Sequence, residues 1–339
     1  MVNQNVQPSP ALFFNTVNAY QRTAVIKAAV ELEVFTRVAE GKQTPAELAE
    51  RCQTSERGMR ILCDYLVVMG FLTKAAGCYG LTEDSAVFLD RHSPGYMGSA
   101  IEFLLSPMLT EGFKNIAAAV RKGGTVMSSA GTLAPDHPVW TDFAKAMAPM
   151  MALPAQLLAQ LVPYDASRKL KVLDIAASHG LFGLAFAKAH PQAEIVAVDW
   201  PLVLQVAQAN ATAAGVADRY STIAGSAFEV DFGRDYDLVL LPNFLHHFDV
   251  ATCETLLKKI HAALAENGRV VTCEFVPNED RVTPPDAATF SMVMLATTPC
   301  GDAYTFAEFE RMFSNAGFSR NELHPLPPTQ QQVVISEKR

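Results

Sequence analysis

The chain has 339 residues, of which 50% are hydrophobic and 18% are charged, so we expect two well-cored domains and not a disordered protein. A formal net charge of −8 argues against a nucleic acid as the main ligand. No hydrophobic run reaches about 18 residues without a charge, and Met1 to Pro10 lack the pattern of a signal peptide. The six cysteines form no CxxC pair. We therefore expect a cytoplasmic protein with reduced thiols, no membrane segment and no metal site.

The first predicted domain covers residues 11–95 and is helical before it becomes extended. Residues 44–47 read Thr-Pro-Ala-Glu, which is a helix start with a capping box and Pro at the first helical position. A second helix starts after Ser55 and stops at Gly70, and two short strands flank a turn at Gly77. Helix, turn, helix and hairpin together predict a winged helix.

A winged helix raises the question of DNA binding. Residues 1–92 contain 9 Lys and Arg and 10 Asp and Glu. A face that docks into a DNA groove should be basic, whereas the charges of this segment nearly cancel. We therefore favour a packing module for self-association, and a winged-helix transcriptional regulator is the disfavoured alternative.

Residues 96–164 are predicted to be helical and are rich in Met and Phe. Met adapts to irregular apolar ligands as well as filling cores, so this segment can line a substrate pocket. Core packing explains the same residues equally well. The candidates for such a pocket are Phe143, Met147, Met150 and Met151.

From Leu170 onward the patterns of strands and helices alternate, and they include a helix predicted over Thr252 to Leu264 and a strand predicted over Gly268 to Phe275. This alternation predicts an α/β domain over residues 165–339, with a doubly wound, mostly parallel sheet of seven strands. The last two strands, 317–324 and 332–336, are joined by a short turn and must therefore run antiparallel.

In such a sheet the ligand lies beyond the carboxyl ends of the strands. Residues 174–180 follow the first strand and read Asp-Ile-Ala-Ala-Ser-His-Gly, and the small side chains allow a close approach of the backbone. A carboxylate at the end of the second strand can accept both hydroxyls of a ribose. The G-x-G-x-x-G pattern of dinucleotide-binding proteins is missing, and an ordinary strand-to-helix turn is the alternative. The candidate cofactor-binding residues are Asp174, Ala176, Ser178, Gly180, Asp199, Trp200, Ser226, Ala227, Phe228 and Asn243.

A polar cluster with two adjacent histidines follows the predicted strand 237–241. Neighbouring residues usually point apart, so we expect only one of His246 and His247 to face the ligand, and a packed histidine in a capped loop is the alternative. A third ligand at a suitable spacing is missing, which argues against a metal. Glu274 ends the following strand at the same rim and can orient an imidazole.

Together these features resemble the S-adenosylmethionine-dependent O-methyltransferases of the plant caffeate and acetylserotonin type, including their bacterial branch. The resemblance rests on Val172 to Asp174 with the small-residue turn, Gly225 to Phe228, Leu245 to Phe248 and Glu274, and it extends from about residue 11 to residue 337. An antiparallel last strand is also usual in methyltransferases. The resemblance implies a Rossmann-like fold, S-adenosyl-L-methionine as cofactor, a small aromatic or secondary metabolite as substrate, and a homodimer formed through the N-terminal domain.

The resemblance also implies roles for single residues. The general base falls on His246 and the carboxylate that orients it on Glu274. Asp199 corresponds to the ribose ligand, and Ser226 and Ala227 to the adenine side. Three further residues join the predicted acceptor pocket, and the last two of them are one helical turn apart. The pocket then comprises Phe143, Met147, Met150, Met151, His247, Phe290 and Met294.

The chain departs from the family pattern in two places that bear on chemistry. The glycine-rich turn of the family is Ala176, Ala177 and Ser178 here. A second acidic residue, expected to support the base, is Ala303, with Asp302 one place off. These departures leave open a relative that binds S-adenosylmethionine but does other chemistry, such as N- or C-methylation, hydroxylation or decarboxylation.

Overall fold

A computed structural model describes residues 8–127, 139–165 and 167–338 of the chain. The chain divides into two units, Met1–Ile101 and Glu102–Arg339. Each unit has a hydrophobic core of its own.

The first unit consists of short helices and a two-stranded antiparallel hairpin. Both predicted helix starts are confirmed, because the Thr44 hydroxyl accepts the Glu47 N–H in a complete capping box and the Ser55 hydroxyl accepts the Gly58 N–H. The apolar faces meet in one buried cluster. The elements are α1 (Ala11–Val17), α2 (Ala19–Glu31), α3 (Val34–Ala39), α4 (Pro45–Arg51), α5 (Glu56–Val68), β1 (Leu72–Ala75), β2 (Cys78–Leu81) and α6 (Glu83–Phe88).

Helices follow the hairpin, as predicted for the middle of the chain. The longest of those described here contains two prolines, Pro149 and Pro154, and continues through both. The bounds are α7 (Ala100–Leu104), α8 (Pro107–Lys114), α9 (Ile116–Lys122) and α10 (Val139–Leu161). No described helix combines the length and the apolar composition that a membrane crossing requires.

The second unit is built around the predicted seven-stranded sheet. Its strands are β3 (Leu170–Ile175), β4 (Ala193–Asp199), β5 (Tyr220–Ala224), β6 (Tyr236–Leu240), β7 (Leu264–Glu274), β8 (Arg320–Pro325) and β9 (Gln332–Glu337). Their order across the sheet is β5-β4-β3-β6-β7-β9-β8. Strand β9 is antiparallel to both of its neighbours and the pairs from β5 to β7 are parallel, which confirms the prediction of an antiparallel last strand.

Helices cover both faces of this sheet because successive strand residues point to opposite sides. Val172 belongs to a core cluster that includes residues of α10, and the next residue, Leu173, belongs to a second cluster. The remaining helices are α11 (Leu181–Ala189), α12 (Pro201–Ala213), α13 (Val250–Ala263), α14 (Pro285–Thr297) and α15 (Phe306–Asn315). The first cluster contains residues of α11 and α12, and the second contains residues of α13 and α15.

Two element boundaries differ from the sequence-based expectation. The helix expected from Thr252 begins two residues earlier because the Asp249 carboxylate caps it by accepting the Thr252 N–H. The strand expected from Gly268 begins at Leu264, and its register with β6 shifts between Tyr236 and Leu238. Such an irregularity leaves no clear signal in the local sequence.

Candidate active site

A cavity of about 840 Å³ lies in the second unit, where the loops after β3, β4, β5 and β6 meet. Strands β3 and β6 are neighbours, although β4 and β5 separate them in the chain, so the chain reverses its direction across the sheet at this point. Ligands of open α/β sheets bind in such crevices at the carboxyl ends of the strands. Side chains of α8, α10 and α14 complete the wall.

The cavity brings together nearly all of the predicted site residues. Every predicted cofactor-binding residue lines it except Asp174 and Gly180, and every predicted acceptor residue lines it. Of the predicted catalytic pair, His246 lines the cavity and Glu274 lies behind it.

Asp174 supports the loop after β3 from below. It is fully buried, and its Oδ2 accepts the Gly183 N–H at 2.9 Å, which ties α11 to the strand. Burial raises the pKa of its carboxyl to about 8. Gly180 also belongs to this support, because its φ is 75° and an added Cβ would lie 2.6 Å from the Tyr220 hydroxyl.

The same loop adopts a left-handed backbone without the glycines that usually provide it. Ala176 has φ 53° and Ser178 has φ 52°, a region that costs a non-glycine residue about 1–2 kcal/mol. The Ala177 N–H donates to the Val198 carbonyl at 3.2 Å and fixes the turn on the neighbouring strand. The backbone therefore makes a tight turn although Ala176 and Ser178 stand where glycine is usual.

Asp199 presents an oriented carboxylate at the end of β4. Its Oδ2 accepts the Ser178 N–H at 2.8 Å and its Oδ1 accepts the Trp200 N–H at 2.7 Å. Burial raises the pKa of this carboxyl to about 6. Next to it, the Ser178 Oγ is buried and has no hydrogen-bond partner. A polar ligand in the cavity can satisfy both groups.

Aromatic side chains form the wall beyond the loops of β5 and β6. The ring centre of Phe248 lies 5.0 Å from those of Phe228 and Phe244, in edge-to-face geometry. Ser226 and Ala227 line the cavity beside this cluster. The arrangement offers flat apolar contacts to a ring system.

His246 and Glu274 form a buried pair. The His246 Nδ1 lies 2.5 Å from the Glu274 Oε2, and the other carboxylate oxygen accepts the N–H groups of Phe244 and Leu245 at 3.0 Å each. These two backbone donors fix the orientation of the carboxylate. An ionised Glu274 holds a proton on Nδ1, so the His246 Nε2 carries the free lone pair.

Both histidines line the cavity, and their side chains do not point apart as expected for neighbouring residues. Leu245 to His247 form a 3-10 turn and not an extended strand, so consecutive side chains do not alternate. The two imidazole ring centres lie 4.3 Å apart and their planes are tilted by 53°. Trp140 packs against His247 edge-to-face.

The second acidic support is absent from His246 in the described part of the chain. Asp302 pairs with Arg281 at 3.2 Å on the surface, and Ala303 is fully buried. Backbone packs closely here, since a Cβ at Gly301 would lie 2.2 Å from the His246 carbonyl oxygen. Glu274 is thus the carboxylate that orients this imidazole.

The side of the cavity that holds Phe290 and the other predicted acceptor residues is apolar. Phe290 packs edge-to-face on His246 with ring centres 4.8 Å apart, and Phe275 stacks on Phe290 at 4.3 Å. Met294 lies in the same wall. A hydroxyl placed at His246 would therefore sit among aromatic surfaces.

Several lining residues were not among the predicted site residues. The Met- and Phe-rich composition of the middle segment indicated some of these lining residues. The sequence of the β8–β9 loop contains no pattern that would have indicated the others. The Gln331 side chain donates to the Asn243 Oδ1 at 2.5 Å. The additional lining residues include Phe103, Met108, Trp140, His179, Phe275, Thr289 and Gln330.

Among the residues that the structure describes, no group of three His, Cys, Asp or Glu side chains is placed to hold a metal ion. The polar groups of the cavity are instead a buried His–Glu pair, an oriented carboxylate and an unpaired hydroxyl. This set suits proton transfer and the binding of a polar organic ligand.

The chain matches two known protein-family domains and has relatives of known activity. An O-methyltransferase domain matches residues 113–319, and an O-methyltransferase dimerisation domain matches residues 14–91. The chain is 28% identical to the 3-hydroxy-5-methyl-1-naphthoate 3-O-methyltransferase of Streptomyces sahachiroi over 316 residues, which are 91% of this chain and 90% of that protein. It is 26% identical to the acetylserotonin O-methyltransferase of Mus musculus over 324 residues, with coverages of 90% and 83%.

Solved structures show the same fold. A candidate O-methyltransferase from Nostoc punctiforme PCC 73102 is 68% identical, with a TM-score of 0.94 and coverage of 98% of this chain and 100% of that chain. Human N-acetylserotonin methyltransferase, solved with S-adenosylmethionine, has a TM-score of 0.86 at 21% identity and covers 99% of both chains.

Proposed function

This chain belongs to the O-methyltransferase family, and we propose that it moves the methyl group of S-adenosyl-L-methionine to a hydroxyl of a small aromatic or secondary metabolite. The observation that carries the proposal is the buried His246–Glu274 pair in an apolar cavity that also presents the Asp199 carboxylate. The family uses S-adenosylmethionine, and a relative by fold is solved with it.

The residues of the loops fit this cofactor. The Asp199 carboxylate, oriented by two backbone N–H groups, keeps lone pairs for the two ribose hydroxyls. The buried Ser178 hydroxyl lacks a partner in the protein and can bond to a polar group of the cofactor. Aromatic side chains of the loops after β5 and β6 offer flat apolar contacts to the ring system of the cofactor. We assign Ala176, Trp200, Ser226, Ala227, Phe228 and Asn243 to the same site, with Asp174 and Gly180 as support of its loop.

The proposed base is His246. When bound, the cofactor supplies a methyl group that is already activated on a sulfonium. The aromatic wall would hold the acceptor hydroxyl between His246 and the cofactor site. The proton of that hydroxyl passes to the His246 Nε2, while the Glu274 carboxylate stabilises the resulting imidazolium. Aromatic neighbours such as Phe290 exclude water from the pair.

We also propose a homodimer that forms through residues 11–95, with 96–164 on the acceptor side and 165–339 holding the cofactor. The dimerisation-domain match supports this, as does the apolar surface of α1, where Leu12 is 79% and Phe13 is 64% exposed. All six cysteines are free thiols, which fits the reducing cytoplasm. No nucleic acid is needed in this proposal.

Calorimetric titration with S-adenosylmethionine, with NAD as the control ligand, tests the cofactor assignment. We expect binding near the micromolar range for the first and none for the second. Failure of S-adenosylmethionine to bind would mean that the altered loop at Ala176 has lost the cofactor. Product analysis of a hydroxyaromatic panel then separates O-methylation from N- or C-methylation and from other chemistry.

Replacing the proposed base tests the mechanism. His246→Ala should retain affinity for S-adenosylmethionine and lower turnover by about 10²- to 10⁴-fold, which is the usual contribution of a general base. His92→Ala, which removes an exposed imidazole of the first unit, is the matched control and should change neither quantity. Unchanged turnover in His246→Ala would remove this residue from the mechanism.

A further inference from the structure

His247 is the second imidazole of the cavity, and the proposed methyl transfer gives it no role so far. Its ring centre lies 4.3 Å from that of His246. Its Nδ1 is buried and has no hydrogen-bond partner. Trp140 and Phe248 pack against the ring with centre distances of 5.8 and 6.2 Å. Apolar packing, and not a polar bond to Nδ1, therefore holds this ring beside the base.

The surroundings of the two rings favour opposite tautomers. At His246, the Glu274 carboxylate accepts a hydrogen bond from Nδ1–H, and Nε2 carries the lone pair. At His247, burial lowers the pKa well below its usual value and His246 adds to the effect, so the ring is neutral with a single proton. Of the two ring nitrogens only Nδ1 is buried without a hydrogen-bond partner, and a buried donor without a partner is costly, so the proton belongs on Nε2.

The cavity consequently has one imidazole that accepts and a neighbouring imidazole that donates. We propose that His247 Nε2–H binds a carbonyl oxygen of the acceptor, placed next to the hydroxyl that His246 deprotonates. This inference rests on the proposed function and narrows its substrate to ortho-hydroxy aryl carbonyl compounds, such as hydroxy ketones, hydroxyquinones and hydroxy esters.

The chemistry of such acceptors gives His247 a purpose. Their hydroxyl and carbonyl oxygens lie about 2.7 Å apart because the hydroxyl donates to the carbonyl. That internal bond holds the proton that a base has to remove. A hydrogen bond from His247 to the carbonyl replaces it and leaves the hydroxyl free to donate to His246. His247 is thus a positioning residue that sets substrate preference.

Nitrogen NMR of the histidine rings tests the tautomers without any acceptor. In long-range ¹⁵N–¹H spectra of the full chain at neutral pH, the His247 signals are identified by their loss in His247→Phe. We expect a protonated Nε2 and an unprotonated Nδ1 at His247, and the reverse at His246. A His247 ring that is protonated on Nδ1, or on both nitrogens, overturns the inference.

A pair of acceptors tests the substrate class. We would compare kcat/KM for 1-acetyl-2-naphthol and 2-naphthol in the wild type, in His247→Phe and in His247→Gln. The wild type should prefer the ketone about tenfold or more, as expected for a site that donates to it. His247→Phe should abolish this preference, and His247→Gln, which keeps an N–H donor, should restore part of it. Differences in size and acidity between the two acceptors cancel when the ratio of their kcat/KM values in a variant is compared with the same ratio in the wild type.

Equal preference in the wild type and in His247→Phe overturns the proposal. If neither compound is methylated, their binding to the enzyme loaded with S-adenosylhomocysteine is measured, and a ketone that does not bind overturns the acceptor class. A failure of the proposed function has a different signature, which is the loss of S-adenosylmethionine binding or of methyl transfer to the whole hydroxyaromatic panel.

Discussion

Replacing Glu274 by glutamine changes one atom of the proposed catalytic pair and reverses its polarity. The Glu274 Oε1 accepts two backbone N–H groups at 3.0 Å, so the amide oxygen of Glu274→Gln will take that place. The amide NH₂ then faces the His246 Nδ1, where the carboxylate oxygen lay at 2.5 Å. Two donors cannot share one bond, so Nδ1 must become the acceptor and the proton moves to Nε2. His246 then has no lone pair for the acceptor hydroxyl.

The expected fall in kcat of Glu274→Gln can be worked out from the interactions that the variant loses. A hydrogen bond to a charged group contributes about 1.5–3 kcal/mol, and a wrong tautomer adds its own cost, as in serine proteases, where the equivalent Asp-to-Asn change costs about 10⁴ in kcat. We therefore expect kcat to fall by about 10²- to 10⁴-fold. The affinity for S-adenosylmethionine should stay within about threefold, because Glu274 does not line the cavity.

The assay is steady-state methyl transfer combined with calorimetry on the same preparations. Glu322→Gln removes a surface carboxylate on β8 that pairs with Arg320 and serves as the control for an isosteric loss of charge. Thermal melting checks that both variants are folded. A Glu274→Gln variant that keeps more than about a third of the wild-type kcat would refute the tautomer argument.

Three further predictions concern the loop, the packing and the pH response. Ala176→Gly should raise the free energy of unfolding by up to about 1 kcal/mol in urea titrations, because it relieves a left-handed alanine; a lower free energy would contradict the strain. Gly301→Ala should lower it by about 1–3 kcal/mol and reduce activity, because its Cβ would lie 2.2 Å from the His246 carbonyl oxygen. Burial lowers the pKa of His190, so the unfolded chain binds the proton first as pH falls. Stability should therefore decline below about pH 6.5, and His190→Phe should flatten that decline, whereas an unchanged slope would exclude this imidazole as the cause.

The sequence predicted most reliably what depends on neighbours in the chain. The caps at Thr44 and Ser55 follow from residues three positions apart, and the loops at the carboxyl ends of the strands follow from the parallel sheet. The direction of single side chains was harder to predict. Asp174 lies under its loop and not in the cavity. Both His246 and His247 line the cavity, because residues 245–247 form a 3-10 turn in which side chains do not alternate as they do in a strand.

Contacts between distant parts of the chain could not be predicted from local patterns. The Asn243 Oδ1 accepts a hydrogen bond from Gln331, which is 88 positions away in a loop without a sequence motif. In the same way, the pairing of Asp302 with Arg281 depends on how two surface loops meet. Here the resemblance to a family indicated a missing acid at Ala303, but only the folded chain shows where the neighbouring carboxylate goes.

The cavity extends beyond the residues that match the O-methyltransferase domain. The O-methyltransferase match ends at residue 319, yet Gln330 lines the wall and Gln331 bonds to Asn243. At the other end, Phe103 and Met108 line it ahead of residue 113. A fragment cut at the limits of that match would therefore keep the His246–Glu274 pair but lose part of the cavity wall, together with strands β8 and β9.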